Sequence, residues 1–212
     1  MTAASVNRKL SSLKSFFKYL KRQNVVDGNP LRFVVGPKRG RTLPYFVKEK
    51  DMEQLLDGDG FQDDFEGLRD RLLLELLYQT GIRRSELVAI NHEDVDFSAS
   101  QLKVNGKRNK QRLIPFADRL KEMMVVYIDA KKEKGLNESG HFFVRKDGNP
   151  LSSYNIYYIV RKRLSDVPML GKRSPHILRH SFATSMLNDG AELNAVKELL
   201  GHSSLASTSV YT

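Results

Sequence analysis

A strongly apolar helix in the first half of the chain constrains the fold more than any other feature. Its apolar residues recur at three- and four-residue spacing, which gives a helix one apolar stripe: Leu68, Leu72, Leu73, Leu76 and Leu77. Such a stripe has to be buried against other elements, so we expect this helix to belong to the core. The pattern stops at Thr80, where Gly81 can take the left-handed conformation that ends helices.

The remaining sequence predicts further helices and one small sheet. Helical periodicity predicts helices at 48–56, 118–134, 152–166, 175–188 and 192–200, with a last turn or two near 204–211. Ser85 is expected to cap the short helix that follows Gly81. Residues 93–116 contain short apolar runs separated by turn residues, which predict an antiparallel sheet of two or three strands. We therefore expect an α+β fold that is mainly α.

The positive charge is concentrated in the N-terminal fifth of the chain. Residues 1–41 hold ten Lys or Arg and a single acid, so they carry +9 of the total charge of +10. A basic arm beside a near-neutral body points to a polyanion partner, nucleic acid first. The alternative is a solvated basic face with no partner. A basic linker at residues 36–41 predicts a boundary, with one domain at 1–41 and a second at 42–212.

Composition excludes several classes of protein. The chain has no cysteine, which removes disulfides, thiolate metal sites and thiol catalysis, and fits a reducing cytoplasm. No stretch approaches the ~20 continuous apolar residues of a membrane span, and the N-terminus lacks the apolar core of a signal peptide. We expect a cytoplasmic protein without a membrane partner.

The densest group of reactive side chains follows a helix start at Ser174-Pro175. His176, Arg179 and His180 lie at positions i, i+3 and i+4, so they share one face of the first turn. Together with the positive end of the helix dipole they predict an anion site suited to phosphate. A polar surface patch is the alternative. A metal site is not expected, because Ile177 stands where a zinc protease has its glutamate and Arg179 would oppose a dication.

Three further clusters could take part in chemistry. Arg83 lies in the break between two helices, close enough in sequence to Glu86 to be oriented by it, and its guanidinium matches two phosphate oxygens. Residues 106–112 form a basic turn that can place a lysine at a phosphate. Gly201-His202 ends a helix, and Tyr211 follows nine residues later. Taken singly, the first two could be a salt-bridged helix junction and an ordinary hairpin tip.

Taken together, the clusters resemble the tyrosine recombinase (phage-integrase-like) family and, within it, the Xer-type bacterial recombinases. The resemblance rests on Thr-Gly-x-Arg-x-Ser-Glu-Leu at 80–87, the lysine of the hairpin at 106–110, His-x-x-Arg-His at 176–180, and Leu-Gly-His followed by the late tyrosine. It extends over nearly the whole chain, with the motifs in consistent order. The catalytic residues that it implies are Arg83, Lys107, His176, Arg179, His202 and Tyr211, with Glu86 and His180 in support.

The resemblance implies the catalytic core of the DNA breaking-rejoining enzymes and cleavage through a 3′-phosphotyrosine, with no cofactor, metal or ATP. Residues 1–41 would be the remnant of a helical core-binding (SAM-like) domain, in a fragment of a longer protein. Double-stranded DNA is the expected partner, with a tetramer on DNA for the full-length protein and a monomer for the fragment. The expected DNA contacts are Arg8, Lys9, Lys14, Lys18, Lys38, Arg39, Arg41, Arg84, Arg108, Lys110 and Arg112. Alternatives are a non-catalytic DNA-binding regulator and a type IB topoisomerase-like enzyme.

Overall fold

The structure, a computed structural model, divides into two compact units, Met1–Leu43 and Pro44–Thr212. It describes residues 1–38, 46–106, 111–136, 139–167, 170–171 and 173–201.

The first unit contains one long helix, α1 (Ala3–Arg22). Thr2 caps its start by accepting a hydrogen bond from the backbone N–H of Ser5 at 3.2 Å. No residue of α1 is buried, and the apolar side chains of Phe16 and Tyr19 are more than half exposed. Within its own unit, α1 therefore gains little stability from packing, which is the usual source of helix stability in proteins.

The second unit contains seven helices and a three-stranded sheet among its described residues. The helices are α2 (Glu49–Asp57), α3 (Phe65–Thr80), α4 (Arg84–Val88), α5 (Asp118–Glu133), α6 (Ser153–Arg163), α7 (Pro175–Asn188) and α8 (Leu193–Leu200). The strands are β1 (Val95–Asp96), β2 (Gln101–Asn105) and β3 (Gln111–Pro115). Single 3₁₀ turns at His92–Asp94 and Leu164–Asp166 precede β1 and follow α6. The prediction of a mainly α fold with a small antiparallel sheet is confirmed.

Helix α3 is the centre of this unit, as its apolar stripe predicts. It packs against α5 and α7, and its leucines at 72–74, 76 and 77 are at most 1% exposed. The helix ends where expected. Gly81 adopts φ +58°, and its N–H donates to the carbonyl of Leu77 at 3.2 Å. A side chain at Gly81 would also collide with Phe182, so glycine is required twice over at this position.

The strands pair antiparallel in the order β1-β2-β3. Leu102 pairs with Ile114, and Val104 pairs with Arg112. Successive side chains of a strand point to opposite faces, so Arg112 shares the core-facing side of β3 with the buried Ile114. This register directs the side chain of Arg112 toward the interior.

The predicted cap of α4 was wrong. Arg83, not Ser85, is the residue that precedes the helix, with an extended backbone at ψ 146°. Its N–H donates to Oε2 of Glu86 at 2.9 Å, so the glutamate of the first turn reaches back over the helix start. Ser85 lies inside the first turn and is exposed. The start of α4 is therefore stabilised by the buried Glu86 carboxylate, which accepts from the N–H of the residue before the helix, and not by a serine hydroxyl.

A fully buried lysine, Lys131 of α5, gives the unit a pH-dependent stability. Its Nζ donates to the carbonyl of His141 at 2.6 Å and lies 2.8 Å from Nε2 of His92. Burial lowers the pKa of Lys131 from 10.5 to about 8. Between these two values the unfolded chain binds more protons than the folded one, so the free energy of unfolding should rise with pH.

We expect the contribution of Lys131 to increase the free energy of unfolding between pH 8 and pH 10 by up to ~3 kcal/mol, at about 1.4 kcal/mol for each unit of pKa difference. Denaturant unfolding of Lys131→Met should lose this increase, whereas Lys132→Met, which changes an exposed lysine of the same helix, should keep it. Equal pH slopes for wild type and Lys131→Met would contradict the assignment.

Candidate active site

Helices α4, α6 and α7 surround a cavity of about 110 Å³ in the second unit. Its lining combines the break before α4 with the first turns of α7, and consists of Ile82, Arg83, Arg84, Tyr157, Ser174, Pro175, His176 and Arg179. Three of the six predicted catalytic residues, Arg83, His176 and Arg179, therefore meet at one place. They come together with the positive end of α7, whose dipole favours an anion.

Arg179 is buried beneath this cavity, with 5% of its surface exposed. Its Nη1 donates to the carbonyl of Gly81 at 2.5 Å, and its Nη2 donates to the carbonyl of Leu200 at 2.6 Å. The guanidinium thus joins the C-terminal ends of α3 and α8 to α7. The direction of its planar group is fixed by main-chain atoms on two elements, which suits a group that must be preorganised.

Arg83 is oriented by Glu86, as its sequence position predicted. Nη1 of Arg83 donates to Oε1 of Glu86 at 2.7 Å, and Nη2 donates to the carbonyl of Gly201 at 2.8 Å. The side chain remains 27% exposed, so the guanidinium reaches both the interior and the cavity.

Glu86 is buried and binds a second arginine, Arg112 of β3. Nη1 and Nη2 of Arg112 donate to the two oxygens of Glu86 at 3.0 and 2.8 Å, and Nε donates to the carbonyl of Leu199 at 2.8 Å. Burial raises the pKa of the Glu86 carboxyl, but hydrogen bonds from Arg112 and Arg83 outweigh that effect and hold the pKa below its ordinary value of 4.5. Glu86 is therefore ionised at neutral pH.

The three carbonyls at the C-terminal end of α8 each accept a hydrogen bond from a different arginine. Leu199 accepts from Arg112, Leu200 from Arg179 and Gly201 from Arg83. These carbonyls carry the negative end of the helix dipole and lack partners within the helix, so cations are favourable there. We call them the α8 carbonyl row. The row fixes the end of α8 against the residues that line the cavity.

His176 is the second residue of α7 and stands at the edge of the cavity, where much of its surface is exposed. Its partial withdrawal from water, and then the charges of Arg179, Arg84 and Arg83, lower its pKa below the ordinary value of 6.5. The imidazole is therefore mainly neutral at pH 7 and able to accept a proton. His180, one turn later, is half-buried and is not among the residues that line the cavity.

The remaining predicted residues are distributed as follows. Arg84 is exposed, and its guanidinium lies 5.8 Å from the centre of the Tyr157 ring. In the first unit, Arg8, Lys9, Lys18 and Lys38 are exposed, while Lys14 donates to the carbonyl of Val34 at 2.8 Å. The predicted residues that lie outside the described part of the chain are Arg39, Arg41, Lys107, Arg108, Lys110, His202 and Tyr211.

Arg112 is placed differently from the expectation that it contacts DNA. Only 14% of its side chain is exposed, and its three nitrogen groups are directed at Glu86 and Leu199. Sequence analysis also missed Tyr157, which lines the cavity. The alternation of β3 contained the signal for Arg112, because Arg112 and Ile114 are two residues apart on one face.

A larger cavity of about 560 Å³ lies between α3 and α6 and contains none of the predicted catalytic residues. Its charges are mixed, and several of them are paired. Arg69 binds Asp70 at 2.7 Å, and Arg145 binds Asp147 at 2.8 Å. It therefore lacks the concentration of positive groups that marks the smaller cavity as the anion site.

The described residues include no cluster of three or more His, Cys, Asp or Glu that could hold a metal ion. None of their helices combines the length and apolar character needed to cross a membrane.

The sequence of this chain is similar to sequences of one protein family. The sequence model of the phage integrase family matches residues 45–212. Tyrosine recombinase XerC of Staphylococcus saprophyticus is 41% identical over 208 residues, which cover 98% of this chain and 70% of that protein. Tyrosine recombinase XerC of Bacillus subtilis is 38% identical over 216 residues, covering all of this chain and 71% of that protein.

Solved structures agree with the sequence relatives. The crystal structure of XerA recombinase superposes with a TM-score of 0.70 at 26% identity, covering 96% of this chain and 68% of that one. The XerH site-specific recombinase bound to its difH substrate gives a TM-score of 0.78 at 23% identity, covering 92% of this chain and 60% of that one. The predicted recombinase catalytic fold is confirmed. The chain belongs to the phage integrase family and is a Xer-like tyrosine recombinase.

Proposed function

We propose that this site-specific DNA recombinase cleaves and rejoins DNA strands through a 3′-phosphotyrosine formed by Tyr211. The observation that carries the proposal is the meeting of Arg83, His176 and Arg179 around one cavity at the N-terminus of α7. Two guanidinium groups, a neutral imidazole and a helix N-terminus form a site for a phosphodiester.

The reaction needs charge stabilisation above all. Attack by a tyrosine on a phosphodiester builds negative charge on the two non-bridging oxygens, and fixed donors aimed at that charge are usually the largest catalytic contribution. Arg83 and Arg179 bind these oxygens, and His202 is a further donor. Tyr211 has an ordinary pKa of ~10, so its phenol needs a base or a strong positive field.

The protons and bonds balance without a cofactor. The Tyr211 oxygen bonds to phosphorus, its proton passes to His176, and the bond to the 5′ oxygen breaks. The lowered pKa of His176 suits this task, because a base has to be neutral before it can accept the proton. Lys107 gives a proton to the leaving oxygen. The phosphotyrosine ester retains the bond energy, so rejoining needs neither ATP nor metal.

A change at Lys107 tests the acid. Lys107→Ala should slow strand cleavage by roughly 100-fold or more, the usual range for loss of a general acid. A substrate with a 5′-phosphorothiolate at the scissile position has a leaving group that needs no proton, so it should restore the rate. Single-turnover cleavage of both substrates measures this. A variant that stays equally slow on the thiolate excludes Lys107 as the acid.

Two other functions remain to be tested against the proposal. A non-catalytic DNA-binding regulator would use the same basic residues, but binding alone requires no late tyrosine. Incubation with a nicked suicide substrate, followed by a denaturing gel, should reveal a protein–DNA adduct, whose absence would sink the proposal. A type IB topoisomerase-like enzyme would relax plasmids without choice of site. We expect strand exchange that depends on a specific DNA site.

Further basic residues supply the DNA contacts in this proposal, most of them outside the cavity and one, Arg84, in its lining. Exposed cations of α1 and its following segment, together with Arg84 and the hairpin cations Arg108 and Lys110, neutralise phosphates along double-stranded DNA. Residues 1–41 then act as part of a helical core-binding domain. We further propose a tetramer on paired sites for the full-length protein, working in the cytoplasm where its DNA lies.

A further inference from the structure

Arg112 joins three parts of the second unit that the proposed reaction uses. It lies on β3, which begins four residues after Lys107 in the sequence. Its guanidinium binds both oxygens of Glu86 next to Arg83, and its Nε binds the carbonyl of Leu199 near the end of α8, three residues before His202. Arg83 likewise bonds to Glu86 and, through the carbonyl of Gly201, to the residue that follows α8.

Unlike Arg83 and Arg179, Arg112 does not line the anion cavity. Each of its nitrogen groups already donates to a protein oxygen, and the side chain is 14% exposed. A phosphate contact that drew the side chain outward would break these bonds and leave the Glu86 carboxylate, which is 4% exposed, short of a partner. A role through its protein neighbours is therefore favoured over a role as a DNA contact.

The charge balance of this cluster shows what Arg112 does for Arg83. Glu86 carries one negative charge and binds two arginines, so the three side chains together carry +1. Without Arg112, Glu86 would be left with Arg83 as its arginine partner, and the pair would be neutral. Arg83 would then present a weaker field to a phosphate and would be drawn toward Glu86.

We propose that Arg112 is a positioning residue for strand cleavage. By sharing the charge of Glu86 it keeps Arg83 available to the scissile phosphate, and by holding Leu199 it fixes the point from which the segment with His202 and Tyr211 begins. Strand β3 thereby connects the chain segment that contains Lys107 to Arg83, which binds the phosphate. The inference rests on the proposed function, in which Arg83 binds the phosphate and Tyr211 attacks it.

The test is Arg112→Gln in single-turnover cleavage of the nicked suicide substrate, with DNA affinity measured separately by titration. We expect adduct formation to slow on the order of 100-fold, since small misplacements of catalytic groups have effects of this size. The dissociation constant for DNA should change less than about threefold, well under the loss that a direct phosphate contact would cause. A weaker affinity with an unchanged cleavage rate would overturn the proposal.

A matched control is Arg119→Gln. Arg119 of α5 also binds a carboxylate that is 4% exposed, Glu75, at 3.3 Å, but it lies outside the cavity lining. This variant should cleave at the wild-type rate even if it loses stability. Equal slowing in both variants, measured well below their melting temperatures, would mean a general structural effect and would overturn the specific role of Arg112.

A modified substrate separates positioning from mere folding. A methylphosphonate at the scissile position is neutral and so lacks the negative charge that Arg83 recognises; it should slow the wild-type enzyme more than Arg112→Gln. Equal slowing of both enzymes contradicts the proposal. If Arg112→Gln does not fold, Arg112→Lys takes its place. A lysine keeps the charge but cannot bond both Glu86 and Leu199 through a planar fork, so we expect slower cleavage, and wild-type cleavage by it would refute the part of the role that depends on Leu199.

The same experiment distinguishes failure of this inference from failure of the proposed function. If wild-type protein forms no adduct, the proposed function fails. If wild type forms the adduct and Arg112→Gln forms it just as fast, the inference about Arg112 fails alone.

Discussion

Replacing Tyr211 by phenylalanine is expected to abolish covalent attachment to DNA and to leave DNA binding unchanged. The substitution removes one oxygen, which in the proposed reaction is the atom that bonds to phosphorus. We expect no other removal of a single side-chain oxygen to reduce adduct formation to below detection. The arginines that bind the phosphate are unaltered, so the affinity for the DNA site should stay within about twofold, a difference of ~0.4 kcal/mol.

The measurement is a denaturing gel of protein incubated with the nicked suicide substrate, beside a gel-shift titration. Tyr158→Phe is the matched control, because Tyr158 is an exposed tyrosine of α6 that does not line the active-site cavity. It should form the adduct normally. An adduct that survives in Tyr211→Phe would mean that another nucleophile attacks the phosphate.

Arg179→Lys should produce the second largest effect, a loss of adduct formation by a factor of ~10² to 10³, the range found when one fixed donor to a developing charge is removed. The lysine keeps the positive charge, but its compact ammonium cannot reproduce the planar fork that spans Gly81 and Leu200. One of these buried carbonyls then loses its donor, which should also lower the free energy of unfolding by ~1–3 kcal/mol.

Stability and chemistry can be separated with Arg163→Lys. Arg163 is 16% exposed and bridges two chain segments by donating to Asp70 at 3.2 Å and to the carbonyl of Gly60. This variant should lose comparable stability in thermal unfolding but retain cleavage. If Arg179→Lys cleaves at the wild-type rate once folded, Arg179 does not stabilise the transition state.

The fold was largely predictable because its signals are local. The apolar spacing of α3 and the glycine after it are contained in a few turns of chain, and the structure places both as expected. The position of the cap before α4 was not, since Ser85 is a preferred cap by residue type and Arg83 is not. Burial of Glu86 decided between them, and burial depends on elements far along the chain.

In the candidate site too, features set by local spacing were predictable, and features set by distant elements were not. The spacing of His176 and Arg179 within one helical turn was enough to place them together. Arg112 was assigned to the DNA surface because it belongs to a basic run, although its strand position turns it inward. The α8 carbonyl row could not be predicted by side-chain reasoning, because its acceptors are main-chain atoms that only the assembled fold brings to the arginines.

The α8 carbonyl row has a consequence for which substitutions the protein can tolerate. Each arginine recognises a main-chain oxygen, so the identity of the residue that supplies it does not enter the bond. In a library that varies every position, Leu199, whose side chain is half-exposed, should therefore accept many replacements, whereas Arg112, Arg179 and Arg83 should accept almost none. Gly201 should resist change because its backbone is left-handed at φ +61°. One end of a helix would thus diverge in sequence while the three side chains that bind it stay constant.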